Sequence, residues 1–314
     1  MGKMFSITIA ISAGVVAILI ALTYPRYQRE MRSAKARLLA GGTILKTDHG
    51  DIEYAVEGEG TPALSLHGAG GGYDQGLWAA TMALGGGHKF ISVSRYGYLR
   101  TPIPQNASIK TQAALYKDLL DHLRIQKVIV FGISAGGPSA MQFANDHPER
   151  TSALILLSAV SQASVPGDKP AFYIGIIHLI QRSDYGYWLM SQLLQPMILN
   201  LMGLPSYVYA KFTTAQKQLA QGMLDTMHPM SQRFQGTVND GEMLQRCAVS
   251  TGNVSAPALI LHAQDDTLVS YQHAENAREA IKRSRLSSFA TAGHGLLREM
   301  NAVRQEVRAF LEPP

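Results

Sequence analysis

Apolar and polar residues alternate in short segments along most of the chain after residue 40. Two leading segments, residues 42–47 and 51–58, alternate residue by residue and predict an antiparallel pair of strands. Runs enriched in apolar residues then predict buried strands at residues 62–66, 89–94, 128–131, 151–157, 256–261 and 286–289. Most of these strands are therefore expected to lie inside a sheet that is covered by other elements.

Helical spacing separates these runs. After Ser108, a residue type that caps helix N-termini, Leu115, Leu119 and Leu123 recur every four residues and predict one buried helical stripe. Further helices are predicted at residues 138–145, 271–281 and 297–311. The alternation of strand and helix predicts an α/β fold, with a mostly parallel sheet and helices on both of its faces.

The alternation stops between residues 161 and 250, where the pattern is helical and rich in Leu, Ile and Met. We name this segment the helical insertion and predict that it forms a lid. Methionine adapts its shape readily, so some methionines of the insertion are expected to line an apolar cavity, although plain core is the alternative for each of them. They are Met190, Met197, Met202, Met223, Met227, Met230 and Met243.

Residues 6–24 contain no charged side chain and are long enough to cross a bilayer as a helix. They predict a single-pass membrane anchor within residues 1–40; a cleaved secretory signal is the alternative. The basic residues that follow the span place the rest of the chain in the cytoplasm by the positive-inside rule. The predicted domains are the anchor (1–40), a core (41–160 and 251–314) and the helical insertion (161–250).

The net charge of +5 resides in the N-terminal segment, since its six basic residues and one glutamate leave residues 38–314 formally neutral. No basic face on the folded part is implied, so we predict no nucleic-acid partner. The single cysteine, Cys247, excludes an internal disulfide and a cysteine-cluster metal site.

A serine stands between two glycines at residues 132–136, Gly-Ile-Ser-Ala-Gly, directly after an apolar strand and before a helix. The G-x-S-x-G elbow needs small residues because the serine backbone is strained and strand and helix crowd it. Ser134 is therefore the candidate nucleophile, with Gly132 and Gly136 as its support. A packing turn between strand and helix is the alternative.

A glycine-rich loop, beginning His67-Gly68, follows the strand at residues 62–66. It lacks the Lys-Ser/Thr ending of a P-loop and the acidic residue of a dinucleotide site. Two interpretations are left open: an oxyanion loop, whose backbone N–H turns toward a reacting carbonyl, and an ordinary flexible loop.

An acid follows a later strand, and a histidine stands near the end of the chain, which gives the order Ser134, Asp266, His294. With the His67-Gly68 step and the elbow, this order resembles the α/β-hydrolase superfamily from residue 41 to the C-terminus. The resemblance implies a Ser-His-Asp triad. Asp265 remains the alternative acid, because it is adjacent to Asp266.

The resemblance also implies that the backbone N–H groups of Ala69 and Ala135 form the oxyanion hole, with His67 and Gly68 shaping its loop. His262 is expected to be a structural residue at a strand end. No metal and no cofactor are implied. Residues 94–97, Ser-Arg-Tyr-Gly, depart from the Asp-x-x-Gly turn of many members.

These features predict a serine hydrolase that cleaves carboxylic esters through an acyl-enzyme, with a small-molecule ester as substrate. The predicted anchor and apolar lid favour lipophilic, monoacylglycerol-like esters. Alternatives on the same scaffold are C–C bond hydrolysis, haloperoxidase-like activity and acyl transfer. From a different class, the chain is alternatively a non-catalytic ligand-binding protein.

Overall fold

The computed structural model describes residues 2–246 and 248–312, without side-chain detail for residues 2–13, 15, 16 and 171. Cys247 lies outside the described residues. The strands are β1 (Thr43–Thr47), β2 (Gly50–Glu57), β3 (Thr61–Leu66), β4 (His88–Val93), β5 (Val128–Ile133), β6 (Thr151–Leu157), β7 (Ala258–Ala263) and β8 (Ser284–Phe289). The helices are α1 (Gly2–Gly41), α2 (Tyr73–Leu84), α3 (Ile109–His122), α4 (Gly137–Asp146), α5 (Ala171–Gln181), α6 (Asp184–Leu193), α7 (Gln195–Leu201), α8 (Ser206–Tyr209), α9 (Thr214–Asp225), α10 (Phe234–Arg246), α11 (Gln272–Ala280) and α12 (Met300–Leu311).

The eight strands form one sheet in the order β1-β2-β4-β3-β5-β6-β7-β8. β2 pairs antiparallel with both β1 and β4, and every pair from β4 to β8 is parallel. The predicted leading pair and the mostly parallel sheet are confirmed. The carboxyl ends of the parallel strands therefore meet along one edge, where ligands bind in open α/β sheets.

Helices cover both faces of the sheet, as predicted. Successive residues of β5 point to opposite faces, so Val130 packs in one hydrophobic cluster with α3, α4 and α11, while Phe131 packs in the other with α2 and α12. Ser108 caps α3 and forms a reciprocal capping box with Thr111. Leu123 is the C-cap residue of α3 and only partly buried, so it ends the predicted stripe.

The helical insertion holds α5 to α10, between β6 and β7. It lies against the loops that follow several strands: Leu99 N–H donates to the Gln232 carbonyl at 2.8 Å, and His294 N–H to the Gly203 carbonyl at 2.9 Å. The insertion therefore closes over the carboxyl edge of the sheet.

For several methionines of the insertion the two predicted environments coincide. Met202, Met227 and Met230 border the cavity that contains Ser134, and Met227 and Met230 are also buried in the core. Met243 is buried in the cluster that includes α3 and borders a second cavity. Met197 is 51% exposed, so it belongs to neither.

α1 continues without interruption from Gly2 to Gly41, and its carboxyl-terminal half packs on α6. Glu30 accepts a hydrogen bond of 2.6 Å from Trp188 Nε1, and the Tyr27 ring lies 5.6 Å from the Trp188 ring. Among the described residues, no helix combines the length and apolar character needed to cross a bilayer. Many side chains of the predicted span at 6–24 lie outside the described residues, and the predicted anchor and single-pass localisation find no support in the structure.

Candidate active site

Ser134 lies at the apex of a tight turn between β5 and α4. Its φ is +53°, in the left-handed region that residues other than glycine rarely adopt. A Cβ at Gly132 would lie 2.6 Å from the Ala140 Cβ, and one at Gly136 would collide with the Leu66 carbonyl oxygen. Both glycines are therefore required by the packing of strand against helix, as the elbow predicts.

Three predicted residues from distant parts of the sequence meet at this turn. His294 Nε2 lies 3.1 Å from Ser134 Oγ, and His294 Nδ1 lies 2.7 Å from Asp266 Oδ2. Because the carboxylate can only accept, Nδ1 carries the imidazole proton and Nε2 is free to accept from the serine hydroxyl. The arrangement matches the geometry of a Ser-His-Asp relay.

The Asp266 carboxylate is buried and well supplied with donors. Its Oδ1 accepts from the N–H groups of Leu268 and Val269, at 2.9 and 3.0 Å. Burial opposes ionisation, but the neighbouring imidazoles of His294 and His262 overcome it and hold the pKa of Asp266 well below its usual range. Asp266 is therefore ionised at neutral pH and able to stabilise an imidazolium at His294.

His262 is fully buried beside this carboxylate. Its Nε2 lies 3.0 Å from the Val269 carbonyl oxygen and 3.4 Å from Asp266 Oδ2. The Nε2–H therefore donates to the loop that follows β7 and helps to fix Asp266, in agreement with the structural role predicted for His262.

Asp265 faces a different partner. Its Oδ1 accepts from the N–H groups of Ala292 and Gly293, at 2.9 and 2.8 Å, and its Oδ2 accepts from the Tyr207 hydroxyl at 2.7 Å. The structure therefore places Asp266 beside His294, while Asp265 fixes the turn that precedes the histidine. Asp265 thereby supplies the acceptor that the two N–H groups of this turn require.

The predicted oxyanion residues border the cavity that contains Ser134. A Cβ at Gly68 would lie 3.1 Å from the Ser134 Cβ, so the loop passes directly beside the serine. The N–H groups of Gly68 and Gly70 donate to Gln75 and Thr237. Within residues 2–246 and 248–312 no acceptor is found for the Ala69 N–H, so this group is free to donate to a substrate oxygen. That Ala69 and Ala135 together bind the substrate oxygen stays a prediction.

His67 belongs to the framework of this loop. Its Nδ1–H donates to the Gly68 carbonyl at 2.7 Å, and its Nε2 accepts from Arg95 N–H at 3.1 Å. Burial, together with the Arg95 charge, lowers the pKa of His67 well below its usual value, so the imidazole is neutral. This geometry leaves no free nitrogen for proton transfer; that His67 shapes an oxyanion loop stays a prediction.

Arg95 is a functional candidate that the sequence interpretation missed. Its Nε donates to the His67 carbonyl at 2.9 Å, and its guanidinium makes a two-pronged pair with Asp240 of α10, at 2.5 and 2.7 Å. Burial opposes the charge on Arg95, but the adjacent carboxylate raises its pKa, so the guanidinium stays protonated. The only sequence signal was the unusual Ser-Arg-Tyr-Gly turn at residues 94–97.

Two cavities flank the oxyanion loop. The first, which we name the serine cavity, has about 230 Å³ and contains Ser134; the second, of about 390 Å³, lies on the side of Arg95 and Asp240. They share the residues Ala69, Ala135, Val160, Ile174, His178 and Thr237. The serine cavity is otherwise lined mainly by apolar side chains of the insertion, so it suits an apolar substrate group.

In the part of the chain that the structure describes, no cluster of three His, Cys, Asp or Glu side chains is placed to hold a metal ion.

Comparison with known proteins places the chain in a family. Residues 104–301 match the family model described as serine aminopeptidase, S33. The uncharacterized hydrolase YcgS of Bacillus subtilis (strain 168) is 30% identical over 257 residues, which cover 79% of this chain and 89% of the relative. A 2-hydroxy-6-oxo-6-phenylhexa-2,4-dienoate hydrolase of Comamonas testosteroni is 24% identical over 77% of this chain and 84% of its own length.

Solved structures show the same fold. An α/β-hydrolase fold protein from Nakamurella multipartita superposes with a TM-score of 0.68 at 24% identity, covering 86% of this chain and 100% of that protein. Together with the elbow, the strand order and the matched residues, these similarities show that the chain belongs to the serine aminopeptidase S33 family of the α/β-hydrolase superfamily.

Proposed function

We propose that the protein is a serine hydrolase that cleaves carboxylic esters with an apolar acyl or alcohol group. The observation that carries the proposal is the hydrogen-bonded series Ser134, His294, Asp266 at the wall of an apolar cavity. The proposal does not rest on the predicted membrane anchor.

In the proposed reaction, Ser134 Oγ attacks the ester carbonyl carbon while its proton passes to His294 Nε2. The N–H groups of Ala69 and Ala135 bind the developing oxyanion, and one such donor typically contributes about 3 kcal/mol to the transition state. When the tetrahedral intermediate collapses, the imidazolium protonates the leaving alcohol. Water then attacks the acyl-enzyme by the same route and releases the acid.

The lining of the serine cavity favours uncharged esters over substrates with a free amino group. Among its described residues there is no Asp or Glu side chain to pair with an ammonium group. An unpaired charge in an apolar cavity is strongly disfavoured. Although the family description names aminopeptidases, we therefore place esters first.

C–C bond hydrolysis is the second candidate, because the Comamonas testosteroni relative is named for a dienoate substrate. Both reactions use a serine-type site, so the products decide between them. The test incubates the full chain with p-nitrophenyl esters from acetyl to decanoyl, with an aminoacyl p-nitroanilide, and with a 2-hydroxy-6-oxo-dienoate.

Ester hydrolysis is expected to accelerate with acyl length until the cavity is filled, because each buried methylene contributes about 0.8 kcal/mol. Ser134→Ala is expected to abolish both hydrolysis and labelling by a fluorophosphonate. Full activity in Ser134→Ala would overturn the nucleophile, and faster turnover of acetyl than of octanoyl ester would overturn the apolar specificity. Turnover of the dienoate alone would establish the second candidate.

A further inference from the structure

The serine cavity contains one buried polar side chain whose hydrogen-bonding capacity is unused. Gln181 is the last residue of α5, is only 5% exposed and borders this cavity. Its Oε1 is buried and accepts no hydrogen bond from the described residues. A buried amide oxygen without a donor is unfavourable, so its presence in an apolar lining calls for an explanation.

The amide of Gln181 lies against the oxyanion loop. A Cβ at Gly70 would be 3.4 Å from Gln181 Nε2 and 3.5 Å from the terminal methyl of Met230. Gly70 is two residues beyond Gly68, which itself passes beside Ser134. The Gln181 amide therefore lies at the wall of the cavity that a substrate must enter when its carbonyl reaches the serine.

Neighbouring groups offer this oxygen no donor. Met227 and Met230 pack around Gly70 and carry no N–H or O–H. The Thr237 hydroxyl, also at the cavity, is already used, since it accepts from Gly70 N–H at 3.1 Å and lies 3.4 Å from the Arg233 carbonyl oxygen. A molecule bound in the serine cavity can supply the donor that Gln181 lacks among the described residues.

We propose that Gln181 binds a hydroxyl group of the substrate, so that the enzyme selects esters with one hydroxyl on an otherwise apolar group. This inference rests on the proposed function. A hydroxyl both donates and accepts, so it suits either orientation of the amide. An ammonium group suits the site less well, because the described lining of the cavity holds no carboxylate to neutralise it.

The hydroxyl has two possible sources, the acyl chain or the alcohol, and two matched substrate pairs distinguish them. The first pair is p-nitrophenyl octanoate with the corresponding 3-hydroxyoctanoate; the second is propyl octanoate with 2-hydroxypropyl octanoate, which carries one hydroxyl on its alcohol. The kcat/KM of the full chain is measured for all four. The wild type is expected to prefer the hydroxylated member of one pair by about tenfold, the typical contribution of one neutral hydrogen bond.

Gln181→Met removes the amide while keeping the length of the side chain, and Gln181→Leu is a second variant should the first fold poorly. Leu179→Met is the matched control, because Leu179 is on the same helix and 69% exposed. Gln181→Met is expected to lose the preference through a higher KM for the hydroxylated ester, so that the ratio of the two kcat/KM values within the pair falls toward one. The control is expected to keep the preference.

Equal turnover of both members of each pair by the wild type, or an unchanged preference in both Gln181 variants, would overturn the inference and leave the proposed function standing. Absence of Ser134-dependent hydrolysis of all four esters would instead overturn the proposed function, and this inference with it.

Discussion

The buried pair of Arg95 and Asp240 is predicted to hold the oxyanion loop to the helical insertion. Its side chains are 1% and 11% exposed, and the guanidinium also donates to the His67 carbonyl. Asp240→Asn keeps the shape of the side chain but removes the charge. Since a buried charge that loses its partner costs about 3–5 kcal/mol, we expect a loss of that size in the free energy of unfolding.

The measurement is urea unfolding of the full chain, followed by tryptophan fluorescence. The control is Glu242→Gln, which removes an exposed ion pair with Arg246 on the same helix and is expected to cost less than about 0.5 kcal/mol. The double variant Arg95→Met, Asp240→Leu should recover part of the loss, because it leaves no unpaired charge in the interior. If Asp240→Asn destabilises no more than the control, the pair does not hold the loop and insertion together.

Three further predictions follow from the site and its surroundings. Asp266→Asn is expected to lower the kcat of ester hydrolysis by about 10⁴-fold, because an amide at this position no longer fixes the tautomer of the His294 imidazole. A loss of less than tenfold would contradict the assignment of Asp266 as the triad acid. Burial lowers the pKa of His228 to about 4, so its imidazole binds a proton more readily in the unfolded state than in the folded state. As the pH falls from 6.5 to 4, the free energy of unfolding should therefore decrease by about 3 kcal/mol. In urea unfolding at several pH values, His228→Leu should make this decrease smaller. Gly236→Ala should destabilise the protein by about 1–3 kcal/mol in thermal unfolding, because the new Cβ would collide with the Tyr98 ring. Gly241→Ala on the same helix is the control: its Cβ would meet open space, so it should stabilise the protein slightly. Equal effects of the two substitutions would contradict the close packing at Gly236.

The strands and the elbow could be predicted because each is a local pattern. Apolar runs bounded by turns gave bounds within about two residues of most strands, and the glycines around Ser134 reflect contacts with the immediately adjoining strand and helix. That an acid of residues 265–266 and His294 lie near Ser134 could be expected, because side chains that follow parallel strands converge at one edge of the sheet. The roles of Asp266 and His294 were implied by the resemblance to a family.

The remaining features depend on contacts between distant segments, which no local pattern encodes. Arg95 and Asp240 are 145 residues apart in sequence, and only the fold shows that they meet. The last α-helix begins at Met300 rather than at the predicted residue 297, because residues 297–299 belong to a 3₁₀ segment that follows the positive-φ residues Gly295 and Leu296. The packing of α1 on Trp188 of the insertion could not be predicted either, because the residues of α1 do not indicate which distant segment they contact.

The contacts of the helical insertion bear on how substrate reaches Ser134. Gly203, after α7, accepts from His294 N–H, and a Cβ there would lie 2.8 Å from the His294 Cβ. α10 is bound to the oxyanion loop through Asp240 and Thr237. Displacing the whole insertion as one lid would therefore disturb both the histidine and the oxyanion loop.

α5 is attached differently. Its Phe172 and Leu179 are 71% and 69% exposed, while its inner face borders the serine cavity through Ile177 and Gln181. The Tyr173 hydroxyl donates to the Leu201 carbonyl within the insertion itself, and α5 makes neither of the two hydrogen-bonded contacts to the catalytic loops described above. The rest of the insertion therefore belongs to the framework of the site, while α5 supplies part of the apolar wall of the serine cavity.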